Sequence, residues 1–240
     1  MNTLRTMSQV PPLWRRALGE FVGAGLLVAV VVGSGIAAER LSADVGLQLL
    51  ENSIATAMGL GVLIVLLAPV SGAHFNPAVS LADFVLRARR VPDPEADGLT
   101  AGELGVYVVA QVTGGIAGAV LANAMFAAPT ALSLTERASS STFLAEIVAT
   151  AGLVLLIVGL TRAGRSVPVV ATAVGAYIGA AYWFTSSTSF ANPAVTVGRI
   201  FTDTFAGIAP ASALVFVAAQ LVGAVLGVVL AVALFPRPPR

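Results

Sequence analysis

The chain has 240 residues, of which 57% are hydrophobic and 10% charged, with a formal net charge of +1 and a mean hydropathy of +0.92. Soluble proteins carry about 25% charged residues, so this composition excludes a soluble domain and points to a lipid bilayer. The absence of cysteine excludes disulfides and thiolate-metal sites, a lone histidine makes a poor metal site, and a near-neutral charge gives no argument for nucleic acid; no cofactor is expected.

The first apolar stretch covers residues 14–38. Arg15 and Arg16 precede it as in a secretory signal, but the run is too long for such a segment and contains Glu20, so a retained helix is expected. A second span is predicted over 48–70, followed by Ser71-Gly72-Ala73-His74-Phe75-Asn76-Pro77-Ala78-Val79. Asn is a preferred helix cap and Pro a preferred first helical residue, so Asn76-Pro77-Ala78 marks a helix start. The helix predicted over 77–87 is a rod of about 16 Å, half of a hydrocarbon core of about 30 Å. Further spans are predicted over 103–127, 142–160 and 167–184. Ser187-Thr188-Ser189-Phe190-Ala191-Asn192-Pro193-Ala194-Val195 then repeats the signal, giving a second half-helix over 193–203 before a last span over 211–235. The fold class is therefore all-α, with six transmembrane helices and two re-entrant half-helices.

All thirteen basic residues are arginine, and most fall on alternate connections: Arg5, Arg15 and Arg16; Arg87, Arg89 and Arg90; Arg162 and Arg165; Arg237 and Arg240. By the positive-inside rule, both termini are expected on the cytoplasmic side of the cell membrane.

Three landmarks recur in one order. The segment around Glu20 (Ala17 to Gly23) resembles that around Glu146 (Phe143 to Ala149), the two Asn-Pro-Ala-Val boxes match, and Gln111-Val112-Thr113-Gly114 pairs with Gln220-Leu221-Val222-Gly223. Because each half contributes three spans, the halves (about 14–127 and 142–235) enter from opposite sides and form one domain over 1–240 with inverted symmetry. The Gly-x-x-x-Gly spacings at Gly19/Gly23, Gly114/Gly118, Gly175/Gly179 and Gly223/Gly227 read as close helix packing. Inverted symmetry brings two helix N-termini together at the midplane, where their partial positive charge and the Asn76 and Asn192 amides orient a solute oxygen and repel cations. A narrow conduit for neutral polar molecules is implied.

With these features the chain resembles the aquaporin (major intrinsic protein) family over nearly its whole length. The resemblance implies a passive channel, a homotetramer of conducting subunits, and a pore midplane formed by Asn76, Pro77, Ala78, Asn192, Pro193 and Ala194. Glu20 and Glu146 are read either as proton carriers or, matching the family, as acceptors that hold the re-entrant loops; their symmetric placement favours the second. His74 matches a structural pore-wall residue in the family, with gating by its protonation as the alternative.

The chain departs from the family at one position. Most aquaporins follow the second box with Arg, whereas this chain has Val195. At roughly 5 Å and an effective dielectric of about 20, a fixed charge contributes on the order of 3 kcal/mol against a cation, so its loss widens the pore and weakens the barrier. Counting from the second box puts Ser189 and Ala180 in the same filter, with Thr56 or Met58 from the second span, and predicts a broad, neutral constriction. Arg199 lies one turn beyond Val195; it is expected to snorkel to the outer interface, with a displaced selectivity charge as the alternative. A family branch with Val at this position is associated with bacterial arsenic handling, so water, arsenous acid or related arsenicals, and glycerol-sized solutes are the expected permeants. A water-selective pore and a proton-coupled transporter are the rival functions. An intramembrane enzyme is disfavoured because one histidine and no cysteine supply neither a nucleophile with its base nor a metal set.

Overall fold

The computed structural model describes residues 10–88 and 98–235. Arg5, Arg89, Arg90, Arg237 and Arg240, which carry part of the charge asymmetry, lie outside the described residues. Six long helices follow the apolar stretches: α1 (Leu13–Leu41), α2 (Val45–Ser71), α4 (Ala101–Met125), α5 (Ser140–Arg162), α6 (Val167–Phe184) and α8 (Pro210–Leu234). Each is long and apolar enough to cross a bilayer. Two shorter helices start at the boxes, α3 (Pro77–Ala88) and α7 (Pro193–Gly198).

Local chemistry sets the helix ends. Asp44 caps α2 by accepting from the Leu47 N–H at 3.0 Å, and Thr100 and Glu103 close a capping box at the start of α4. At the C-terminus of α2 the chain must turn back into the bundle, and Gly72 supplies the left-handed conformation (φ 88°) that this reversal needs.

The bundle packs as α1 on α4 and α5 on α8, with α2 against both α1 and α6. Glycine makes these approaches possible. A Cβ on Gly223 would sit 2.6 Å from the Ile147 carbonyl, and one on Gly227 would sit 2.7 Å from the Ala151 carbonyl, so the α5–α8 backbones touch where a larger residue would separate them. Large apolar side chains such as Val62, Leu66 and Leu214 are left exposed on the outer faces, as a lipid-facing surface requires.

The second half-helix is shorter than its sequence predicts. It ends as α-helix at Gly198 and tightens into a 3-10 turn, Arg199–Phe201. Tertiary partners take the carbonyls that would have continued it: Ile208 N–H donates to Arg199 O at 3.3 Å, Ser133 N–H to Ile200 O at 2.8 Å, and Asn123 Nδ2 to Phe201 O at 2.9 Å. Thr202 turns extended and binds the Asn123 amide oxygen through its hydroxyl at 2.8 Å. Ser133 and Asn123 lie in distant segments and Ile208 beyond the following turn, so sequence-local signals at the box do not report them.

Candidate functional site

Each box begins its helix as an N-cap. The Asn76 side-chain oxygen accepts from the Ala78 N–H at 2.9 Å, and that of Asn192 accepts from Ala194 at 2.9 Å and Val195 at 3.3 Å. The amide nitrogens reach across to the opposite half. Asn76 Nδ2 donates to Ala191 O at 2.8 Å, and Asn192 Nδ2 donates to Phe75 O at 2.8 Å. This reciprocal brace ties the two half-helix starts together. A carboxamide carries two N–H donors, so each Asn keeps one beyond the brace.

Two buried carboxylates hold the loops that lead into the boxes. Glu20, fully buried, accepts from the Ser71 hydroxyl (2.6 Å) and the His74 N–H (3.0 Å) on one oxygen, and from the Phe75 N–H (2.6 Å) and Gln111 Nε2 (2.7 Å) on the other. Glu146, equally buried, accepts from the Ser187 hydroxyl (2.6 Å) and the Phe190 N–H (2.9 Å), and from the Ala191 N–H (2.9 Å) and Gln220 Nε2 (2.6 Å). Charge-assisted bonds of this kind are strong enough to hold unusual backbone. Ala73, Phe75, Ser189 and Ala191 all adopt positive φ, between 47° and 53°, a region that non-glycine residues rarely enter. The two glutamines extend the pattern, Gln111 to the Ser80 hydroxyl at 2.9 Å and Gln220 to the Thr196 hydroxyl at 2.9 Å.

A cavity of about 510 Å³ runs through the bundle past both boxes. At one end it is bordered by Asp83, Arg87, Arg162 and Arg165, and at the other by Thr56, Tyr182, Phe190 and Arg199. Between them lie Asn76 and Asn192 against an apolar wall that includes Leu27, Val31, Ile64, Leu153, Val174 and Ile178. The partner residues Pro77, Ala78, Pro193 and Ala194 are buried behind the two asparagines, where they start α3 and α7. His74 borders the cavity, with Nδ1 3.0 Å from the Ser80 hydroxyl and its ring edge-on to Tyr107 at 5.5 Å between centroids.

The filter positions drawn from the sequence divide. Val195, Ser189 and Thr56 border the cavity. Met58 does not: it is 67% exposed on the outer face of α2, because two residues of helix turn a side chain about 200° from Thr56. Ala180 is likewise exposed on the outside of α6, two residues from both Ile178 and Tyr182, which face inward. Tyr182 takes the inward position and its hydroxyl lies 3.1 Å from that of Thr56. The inward register was available in the sequence as Val170, Val174, Ile178 and Tyr182 at four-residue spacing.

Arg199 is also not where the sequence suggested. It does not snorkel to an interface but is 3% exposed, with its guanidinium 3.5 Å from the Phe190 ring centroid and its Nε donating to Ala206 O. The 3-10 turn and the bonds that shorten α7 direct this side chain into the bundle. Arg199 and Tyr182 therefore border the same cavity as Val195, Ser189 and Thr56.

Comparison with known proteins supports the same assignment from outside the geometry. The family described as Major intrinsic protein matches residues 7–189. The chain is 50% identical over 91% of its length to "Aquaglyceroporin AqpS" of Rhizobium meliloti (strain 1021), spanning 89% of that protein. It is 30% identical over 69% of its length to the "Glycerol uptake facilitator protein" of Pseudomonas aeruginosa, spanning 63% of that protein. Among solved structures, the aquaglyceroporin from Plasmodium falciparum superposes with a TM-score of 0.68 at 20% identity, covering 90% of this chain and 94% of that one, a likeness of fold.

Proposed function

Because this chain belongs to the major intrinsic protein family, whose members are multi-pass membrane channels for water and small neutral solutes, we propose that its pore also passes bulkier neutral solutes, glycerol-sized polyols and arsenous acid among them. The cavity continuous past both braced asparagines carries this reading. A neutral triol can take the remaining Asn76 and Asn192 donors on one side while its carbon or arsenic core slides along the apolar wall. At the level just beyond the second box the wall is Val195, which adds neither a charge nor a long side chain. The similarity to an aquaglyceroporin over most of the chain supports the same solute class.

Passive conduction is favoured over proton coupling by the bonding of Glu20 and Glu146. Each carboxylate already accepts four hydrogen bonds from loop and helix donors, so protonating it would put a hydroxyl against existing donors and disturb the pore wall. The matching bonds of the two halves support one channel domain over 1–240, built from an inverted repeat. The arginine asymmetry supports a cell-membrane location with both termini cytoplasmic, checked by protease accessibility of terminal tags on intact cells. A homotetramer follows the family, checked by the mass of the detergent-solubilised particle.

The solute claim is tested by stopped-flow light scattering of proteoliposomes after an inward gradient of arsenous acid or glycerol. Fast shrinkage followed by accelerated reswelling, relative to empty liposomes, is expected. Fast shrinkage without accelerated reswelling is the behaviour of a water-selective pore, which the buried guanidinium at the constriction would favour, and would end the wider reading.

A further inference from the structure

Resting on that channel reading, we propose that Arg199, backed by Arg137, is the fixed charge of the constriction, moved one helical turn outward from the position next to the second box, and that it bars cations there while offering a passing solute a hydrogen-bond donor. Val195 leaves the usual position uncharged. The 3-10 turn that ends α7 carries Arg199 inward, and three points fix what the side chain does there.

The guanidinium is held but not neutralised. Its Nε donates to the Ala206 carbonyl and its Cζ lies over the Phe190 ring, both uncharged partners. Arg16 pairs with Glu103 at the other end of the bundle, whereas no carboxylate among the described residues lies within ion-pair distance of Arg199. Its Nη atoms take no protein acceptor among the described residues although the side chain borders the cavity, which leaves their donors for a solute or water.

Ser189 borders the same cavity, and its buried Oγ has no hydrogen-bond partner in the protein. A cavity wall that holds a hydroxyl able to donate and accept together with a guanidinium that only donates suits a neutral polyol or water and mismatches a cation. The charge is also doubled. Arg137 lies 5.7 Å from the same Phe190 ring, with Nε on Gly207 O at 2.6 Å and Nη2 on Phe205 O at 2.8 Å, again without a carboxylate. Two unneutralised guanidiniums on one aromatic ring raise the local positive potential where a narrow, low-dielectric passage focuses it.

The experiment compares wild type, Arg199→Gln, Arg199→Lys and Arg137→Gln in proteoliposomes, reading water permeability by light scattering and cation leak by potassium-diffusion-driven proton flux and by bilayer conductance. Arg199→Gln is expected to raise the ratio of cation leak to water permeability by tenfold or more, on the order of the barrier from one fixed charge. Arg199→Lys is expected to stay near wild type, and Arg137→Gln to show a smaller rise. Wild-type leak in Arg199→Gln with water conduction intact overturns the proposal, since a merely structural arginine predicts that. If Arg199→Gln does not fold, wild-type leak in a water-conducting Arg137→Gln overturns it instead. Absence of water conduction in wild type would sink the channel reading itself, a separate outcome.

Discussion

Replacing Glu146 by glutamine separates scaffold from carrier. The carboxylate accepts from Ser187, Phe190, Ala191 and Gln220 at 2.6–2.9 Å. A carboxamide has one oxygen, which can keep two of these donors, and an NH2 group that meets the other two head-on. Hydrogen bonds to charged groups contribute about 1.5–3 kcal/mol each, so two lost bonds cost about 4 kcal/mol. Against a typical total of about 5–15 kcal/mol this is a large loss. It corresponds to a fall in Tm on the order of 10 °C for a chain of this size. Thermal unfolding in detergent, run beside water permeability normalised to protein, measures both effects. Scaffolding predicts that Glu146→Gln loses stability and conduction together, and that Glu20→Gln does the same because its four bonds match. A variant with unchanged Tm that loses only solute uptake driven by a proton gradient would refute the reasoning and restore the carrier reading.

Asn192→Ala removes a helix cap and the brace to Phe75 O, leaving that carbonyl short of a partner, and is expected to cost about 3 kcal/mol by thermal unfolding. Val195→Arg brings a second guanidinium into the passage; glycerol permeation is expected to fall about tenfold, equivalent to 1.4 kcal/mol, with water affected less, by the same light-scattering assay. Gly227→Val would drive a side chain into the Ala151 carbonyl and the Val154 Cβ, each 2.7 Å away, and is expected to destabilise the α5–α8 contact by about 3 kcal/mol, read as a lowered Tm.

The transmembrane helices and the two boxes were legible because their signals are local: apolar runs of sufficient length, and Asn-Pro as cap and first helical residue. The loop-holding role of the glutamates was legible as symmetry, since each sits in the same place in its half. The inward faces of α2 and α6 were not. Placing Ala180 and Met58 there required counting along a chain without knowing which face of α6 and α2 turns inward, and an error of two residues moves a side chain to the lipid. A four-residue apolar register ending in Tyr182 was the better signal. Arg199 is hidden for a different reason. Its position one turn beyond Val195 is plain in the sequence, but its direction depends on Ile208, Ser133 and Asn123 capturing the carbonyls of the turn, contacts made only in three dimensions.

Passive conduction is tested most directly by the equilibrium distribution of labelled glycerol across proteoliposomes with an imposed proton gradient. A channel only equilibrates, so the internal and external concentrations should become equal, faster than in empty liposomes, and stay equal when the gradient is reversed. Accumulation that follows the proton gradient in either direction would contradict a passive pore and make Glu20 and Glu146 the first residues to re-examine.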